Sequence, residues 1–146
     1  MPTPEAAAVA AELRTAMGKL TRRVQREDRI PHGQIAVLGV LDRDGAMTTS
    51  DLANDQRVRP QSMARAVGLL LDQGLVARRP HPTDGRKTLL ELSPAGRTAL
   101  DAERGRRAGW LAVAIEAELT EEERQVLSRS ATLMDRLAAR RPDPDR

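Results

Sequence analysis

The side chains of this sequence that could do chemistry on a partner molecule are arginines, and they are unevenly placed. Residues 57–87 contain seven basic residues against two acidic ones, although the whole chain of 146 residues has a formal net charge of only +3. Acidic residues concentrate instead in residues 116–123. This separation of charge favours a surface that meets a polyanion, and a solvated basic surface is the alternative interpretation. The seven basic residues are Arg57, Arg59, Arg65, Arg78, Arg79, Arg86 and Lys87.

The residues that most other chemistries require are missing. The sequence contains no cysteine, which excludes disulfides, thiolate metal sites and thiol-based sensing. Its two histidines, His32 and His81, are far apart and lack the spacing of a metal-binding pair on a helix. The acidic run at residues 121–123 fits the start of a helix better than a catalytic site. We therefore expect no cofactor, no metal and no enzymatic activity.

Length and composition predict a small protein with one core. A chain of 146 residues with 40% apolar residues can bury a core if those residues are correctly phased. The N-terminal residues have neither a basic segment nor a long apolar run, and no stretch of eighteen apolar residues occurs. We expect a cytoplasmic protein without a membrane partner.

Hydrophobic periodicity predicts the long helices at both ends of the chain. Apolar residues recur every three or four positions across residues 9–24, which predicts an amphipathic helix of roughly 20 residues that ends by Pro31. A second helix carries the apolar residues 35–41. Two further helices are predicted over residues 94–119 and 120–137, followed by a polar tail.

Between these helices, the sequence predicts two short helices separated by a tight turn. Met47 reads as a single-residue strand, and Thr48 can cap a helix over residues 50–56. Pro60 suits the first position of the next helix, which spans residues 60–73 and ends at a left-handed Gly74.

The second of these short helices has an apolar side and a polar side. Its apolar stripe should be core: Met63, Val67, Leu70 and Leu71. The residues left facing outward are Gln61, Ser62, Arg65 and Gly68. A glycine within a helix costs about 1 kcal/mol relative to alanine, so either another molecule approaches closely at Gly68 or the residue is merely tolerated.

A β-hairpin with a charged tip should follow. Residues 75–79 and 87–92 are extended runs that flank the turn-forming segment 80–86, which contains two prolines and an Asp-Gly pair. Arg78 and Arg79 alternate across the first strand, so only one of them can point toward a bound partner, and the sequence does not say which.

Four segments in this order resemble the MarR family of winged helix-turn-helix transcriptional regulators. They are residues 50–53 (Ser-Asp-Leu-Ala), residues 74–76 (Gly-Leu-Val), residues 84–86 (Asp-Gly-Arg) and residues 92–96 (Leu-Ser-Pro-Ala-Gly). The resemblance covers residues 5–140 and is sharpest over residues 50–97. The sequence departs from the family pattern at Gln56 and Arg59, which leaves the tilt of the second short helix open.

The resemblance implies a fold and an assembly. The fold class is mainly α with a small β-hairpin wing. Residues 31–97 would form the winged helix-turn-helix DNA-binding domain, and residues 1–30 and 98–146 a helical dimerisation region in which the first and last helices interlock. Too little surface exists within one small domain to cover both apolar stripes, which also favours a homodimer. The alternative is that both helices pack within one monomer as a plain bundle.

The resemblance also assigns residues to double-stranded DNA. Gln61, Ser62 and Arg65 would meet base edges in the major groove, with Arg59 at the leading end of this recognition helix, residues 60–73. In the wing, residues 80–87, Arg86 would enter the minor groove and Asp84 would orient it. Two further contacts to the DNA are Arg78 and Lys87. Alternatively, Asp84 only bonds local backbone amides and Arg86 is a solvated loop charge.

We therefore expect a dimeric regulator, a repressor that binds a pseudo-palindromic operator. The alternative is a winged-helix adaptor or anti-repressor without specific DNA binding, which would not need arginines at both positions 65 and 86. The resemblance to the family also implies a small-molecule effector, which would bind between the dimer helices and the winged domain. The residues expected near it are Met17, Leu20, His32, Leu38 and Trp110.

Overall fold

A computed structural model describes residues 1–141, and this part of the chain contains six α-helices and one two-stranded antiparallel hairpin. The chain divides into two compact units, Met1–Ala108 and a second unit that begins at Gly109. Most of the predicted polar tail lies outside the described residues. The elements are α1 (Pro4–Val24), a 3-10 turn (Gln25–Glu27), α2 (His32–Asp44), α3 (Thr49–Gln56), α4 (Pro60–Asp72), β1 (Val76–Pro80), β2 (Thr88–Leu92), α5 (Pro94–Glu118) and α6 (Glu121–Ala138).

The predicted fold class is confirmed, and several element boundaries differ from the prediction by one residue or more. Helix α1 ends at Val24, before Pro31, because the chain passes through the 3-10 turn and is extended at Asp28. Strand β1 begins and ends one residue later than predicted, so that Pro80 pairs with Thr88 at the end of the hairpin.

The core lies where α2 packs against α3, α4 and the hairpin. Val37, Leu38, Leu52 and Leu70 have no exposed surface, and they belong to one continuous apolar cluster. Met47 joins this cluster as the predicted single-residue strand, because its backbone exchanges hydrogen bonds of 3.1 and 2.8 Å with that of Leu90. This bridge connects the start of α3 to the hairpin.

The predicted helix signals are present at their positions. The Thr48 side chain accepts a hydrogen bond from the Asp51 amide at 3.1 Å, and the Asp51 carboxylate accepts one from the Thr48 amide at 3.4 Å, which completes a capping box. Gly74 ends α4 with a φ of +69°, in the left-handed region. Thr120 and Glu123 cap α6 in the same way as Thr48 and Asp51 cap α3.

The junction between the hairpin and α5 is packed too tightly for a side chain. The Ser93 hydroxyl donates to the Gly74 carbonyl at 2.6 Å and accepts from the Gly96 amide at 2.9 Å. A Cβ atom on Gly96 would lie 1.9 Å from the carbonyl oxygen of Leu75. Glycine at position 96 therefore allows α5 to start directly against the strand.

Ion pairs fasten the segment before α2 to α5. Arg107 donates two hydrogen bonds, at 2.6 and 2.7 Å, to the carboxylate of Asp28, whose side chain is only 5% exposed. The Asp28 carboxylate raises the pKa of Arg107 further, so this guanidinium stays charged. Glu103, which is 1% exposed, accepts from the Arg29 amide at 3.0 Å and from the Arg106 side chain.

A second set of ion pairs joins the end of α2 to α5. Asp42 accepts hydrogen bonds from Arg97 at 2.7 Å and Arg104 at 2.9 Å. The bonds from Arg104 and then Arg97 hold the pKa of Asp42 below its usual value. Because a lowered pKa favours the charged carboxylate, this contribution to stability is present at neutral pH and is lost in acid.

We predict that Gly96→Ala destabilises the protein by roughly 2–3 kcal/mol, because the new methyl group must displace the Leu75 backbone. The matched control is Gly105→Ala in the same helix, where no atom lies within 4 Å of an added Cβ. There alanine should stabilise by up to about 1 kcal/mol through its higher helix propensity. Urea unfolding of both variants measures the difference, and similar effects of the two substitutions would contradict the tight junction.

Candidate nucleic-acid interface

The turn between α3 and α4 holds a residue in an unusual backbone conformation. Arg57 has φ +52° and ψ +41°, the left-handed region that favours glycine. The turn is closed by a hydrogen bond of 3.1 Å from the Val58 amide to the Ala53 carbonyl. Arg59 then occupies the N-cap of α4 without a side-chain hydrogen bond, and Pro60 starts the helix. The Arg59 side chain is exposed, so its guanidinium is available to a partner.

Helix α4 turns one side to the core and the other to solvent. Met63, Val67 and Leu70 are buried, while Leu71 is only partly buried. Gln61, Ser62 and Arg65 are all exposed, as the sequence predicted. Among residues 1–141, no atom outside the adjoining turns of α4 lies within 4 Å of a Cβ added at Gly68, so packing within this range does not explain the glycine.

The hairpin separates its two strand arginines. Because strand residues alternate between faces, Arg78 lies on the face of the buried Val76 and Leu90, and Arg79 lies on the opposite face. The Arg79 side chain pairs with Glu91 across the hairpin at 3.6 Å. Both arginines remain exposed.

The wing tip combines the two alternatives considered for Asp84. Its carboxylate accepts a hydrogen bond from the Arg86 amide at 3.1 Å and lies 3.5 Å from the Arg86 guanidinium. Asp84 therefore bonds the local backbone and also orients the arginine. The Arg86 side chain is 94% exposed, and Lys87 beside it is exposed as well.

His81 organises the same turn, a role that the sequence analysis missed. Its Nδ1 atom accepts hydrogen bonds from the amides of Thr83 at 3.2 Å and Asp84 at 3.1 Å. Two backbone bonds close the loop, from His81 to the Lys87 carbonyl at 3.3 Å and from Lys87 to the Asp84 carbonyl at 3.0 Å. A local signal for this role was available in the sequence. In turns, an asparagine or aspartate side chain commonly accepts the backbone amide two residues later, and His81 stands in that position before Thr83.

The wing and the start of α3 share one surface. A cavity of about 450 Å³ lies between them, and it is lined by polar and charged residues. They are Thr48, Thr49, Ser50, Asp51, Arg86, Lys87 and Thr88. Thr49 and Ser50 at the first turn of α3 were not among the predicted site residues, although hydroxyl groups at a helix start often contact phosphate.

The residues expected near an effector differ in burial and in the unit to which they belong. Leu38 is fully buried in the core, because it lies on the inward side of α2, and so it cannot contact a ligand. Met17 and Leu20 are exposed on α1, and Trp110 lies in the second unit. Of the five residues, only His32 lines a cavity of about 560 Å³, between α2 and α5.

Residues 1–141 contain neither a cluster of metal-ligating side chains nor a membrane-spanning helix. No three histidine or acidic side chains converge as metal ligands within this range. No helix in the same range has the length and apolar character to cross a bilayer.

A short helix, a tight turn, a helix with a polar outer face and a charged β-hairpin define a winged helix-turn-helix protein. Comparison with known proteins agrees. A model of the MarR family matches residues 30–87. An HTH-type transcriptional regulator from Mycobacterium tuberculosis is 38% identical over 131 residues, which cover 88% of this chain and 91% of the relative. The chain belongs to the MarR family, and it is a DNA-binding transcriptional regulator.

Solved structures show the same fold. A transcriptional regulator from Pseudomonas aeruginosa superimposes with a TM-score of 0.79 at 37% identity and covers 96% of this chain and 100% of its own. The fold alone is shared with a MarR variant from E. coli, at a TM-score of 0.73 and 20% identity over 92% of this chain and 98% of that one. The fold alone is also shared with a MepR variant from S. aureus bound to an oligodeoxyribonucleotide, at a TM-score of 0.64 and 18% identity over 86% of this chain and 94% of that one.

We predict that Thr48→Ala destabilises the protein by about 1 kcal/mol, because α3 loses its N-cap. Thr49→Ala is the matched control at the next residue, since Thr49 is the first residue of the helix and does not supply this cap. Thermal or urea unfolding compares the two variants. Equal stability of Thr48→Ala and the unmodified protein would show that the cap is not needed.

Proposed function

We propose that this protein is a homodimeric repressor whose function is binding rather than catalysis. Two copies would bind a pseudo-palindromic operator, each through α4 and the wing. The observation that carries this proposal is the exposure of Arg65 on the polar side of α4 together with Arg86 at the wing tip. An adaptor without specific DNA binding has no use for arginines at both places.

The polar side of α4 suits the major groove. Arginine can donate two hydrogen bonds to guanine, glutamine can bond adenine in a similar way, and serine can bond either base. Arg65, Gln61 and Ser62 supply these three side chains from two successive turns, and the buried side of α4 keeps them outward. We therefore assign base contacts to these residues. The left-handed Arg57 and the uncapped Arg59 lie at the end of α4 that would enter the groove first.

The wing suits the minor groove. Arg86 is extended into solvent and held by Asp84, and a narrow minor groove attracts arginine through its concentrated negative potential. Arg59, Arg78 and Lys87 would contact phosphates around these two sites, which adds affinity without sequence preference. The structure of S. aureus MepR bound to an oligodeoxyribonucleotide supports this use of the shared fold.

We predict that Arg65→Ala weakens binding to the operator by roughly 1–3 kcal/mol and relaxes the preference at one base pair. Lys87→Ala is the matched control for a charge lost outside the base contacts. It should weaken all sequences alike and lower the slope of log affinity against log salt by about one unit. Fluorescence anisotropy with operator and random duplexes at several salt concentrations measures both effects. An equal loss on both duplexes for Arg65→Ala would contradict its assigned base contact.

The exposed apolar sides of the terminal helices support a dimer. Neither α1, with 21 residues, nor α6, with 18, contains a single buried residue. An amphipathic helix gains most of its stability by burying its apolar side. We propose that residues 1–30 and 98–146 form the dimerisation region and cover these sides with the second copy. The exposed apolar residues are Val9, Met17, Leu20, Val126, Leu127, Leu133 and Leu137.

We predict that Leu133→Glu shifts the protein toward monomer, because it places a charge in the proposed interface. Thr132→Glu is the matched control, since the neighbouring position points to the other side of α6 by the helical period. Sedimentation at several concentrations measures the dimer fraction. A dimer that tolerates Leu133→Glu as well as Thr132→Glu would remove α6 from the interface.

We propose the α2–α5 cavity as the site for a small-molecule effector. Its volume of about 560 Å³ is in the usual range for ligand pockets, and His32 lies on its wall. Asp42 and Arg104, which join α2 to α5, also line it. A ligand that competes for these groups would loosen the winged domain from α5. This loosening would couple ligand binding to the position of the DNA-contacting residues.

A further inference from the structure

The Nδ1 atom of His81 joins the Asp84 carboxylate as a side-chain acceptor that holds the wing turn. It receives hydrogen bonds from two successive amides, those of Thr83 at 3.2 Å and Asp84 at 3.1 Å. The Thr83 hydroxyl lies 3.4 Å from the same nitrogen. His81 thus takes the part that an asparagine or aspartate oxygen plays in the common side-chain turn.

This arrangement requires one protonation state of the ring. A neutral imidazole has one nitrogen that donates and one that accepts, and a charged imidazolium has two donors. Both amides are donors, so Nδ1 must carry no hydrogen and the proton must lie on Nε2. Protonation of Nδ1 would point a new N–H donor at the amide donors of Thr83 and Asp84, and it would break both bonds to the turn.

The turn leads directly from His81 to the DNA-contacting arginine. The Asp84 amide bonds His81, and the Asp84 carboxylate bonds the amide of Arg86 at 3.1 Å and lies 3.5 Å from its guanidinium. The other end of the loop closes through Lys87, whose carbonyl accepts from His81 at 3.3 Å. Losing the His81 bonds would release Asp84 and, with it, the orientation of Arg86.

We propose that His81 is a positioning residue for Arg86, and that protonation of His81 weakens sequence-specific DNA binding as the pH falls. The proposal rests on the proposed function of the wing in the minor groove. Imidazole is the ordinary side chain that changes charge between pH 5 and 8, so this is the range of pH in which the proposal is tested.

The charges near His81 act in both directions. Within the wing, Asp84 favours the imidazolium, whereas Arg86 and Lys87 disfavour it. On the strands, Arg79 is paired with Glu91, and on α3, Asp51 caps its own helix beside Arg86 and Lys87. A charged ring would itself attract phosphate, which strengthens binding in acid. The proposal therefore predicts that DNA affinity falls in acid, whereas simple electrostatics alone would predict that it rises.

The test compares His81→Ala and His81→Asn with the unmodified protein. The asparagine oxygen can accept the same two amides and does not titrate, so it should hold the wing at every pH. A duplex selected by the protein from a random pool serves as the probe, at about pH 8 and about pH 5.5, on either side of the usual histidine range. Both variants retain His32, so any effect of pH on His32 is common to all three proteins and cancels from the comparison.

We expect the unmodified protein to lose affinity at the lower pH by about three- to tenfold, as for one net hydrogen bond. His81→Asn should bind like the unmodified protein at the higher pH and lose less at the lower one. His81→Ala should be weak at both values. Affinity that rises in acid, or that falls equally in His81→Asn, would overturn the proposal, as would His81→Ala that binds like His81→Asn.

Two further measurements separate this proposal from the proposed function. Arg86→Ala should weaken binding at both pH values, and if it does not, the wing is not at the DNA and both proposals fail. If Arg86→Ala weakens binding but the His81 variants do not differ, only the role of His81 fails. Nitrogen NMR of the protein without DNA should show His81 with its proton on Nε2 at neutral pH, and a proton on Nδ1 would overturn the proposal directly.

Discussion

The burial of one side of α4 is the constraint on which the rest of this structure depends. Met63, Val67 and Leu70 enter the core, and each such side chain contributes about 1.5–3 kcal/mol when fully buried. Rotating α4 by one residue would expose these side chains and push Arg65 toward the core, where an unpaired charge is far more costly. The same apolar residues that fold the domain therefore determine which polar residues it presents.

The hairpin obeys a similar constraint at its base and a different one at its tip. Gly96 and Ser93 fix the base against α5 by close backbone contact, so the strands have little freedom there. The tip is held by polar groups alone, through His81 and Asp84. A rigid base with a hydrogen-bonded tip lets the wing keep its direction while its arginine stays outside the core.

Much of this could be predicted from the sequence, because the signals are local. Each of these signals depends on residues within one or two helical turns. They are the N-cap at Thr48, Pro60 and Gly74 at the two ends of α4, and the apolar and polar sides of that helix. The Asp28–Arg107 and Arg29–Glu103 contacts join residues more than seventy positions apart, and no local pattern announces them. The burial of Leu38 also follows from tertiary packing. His81 was considered only as a metal ligand, although its role was local.

We propose that two copies of this chain present matched helices and wings to successive grooves of one duplex. Hydroxyl-radical footprinting on a sequence that the protein selects from random DNA tests it most directly. We predict an inverted repeat with half-site centres about 10 base pairs apart and two protected minor-groove stretches related by the same symmetry. A single protected half-site, or a selected pool without any repeat, would contradict it.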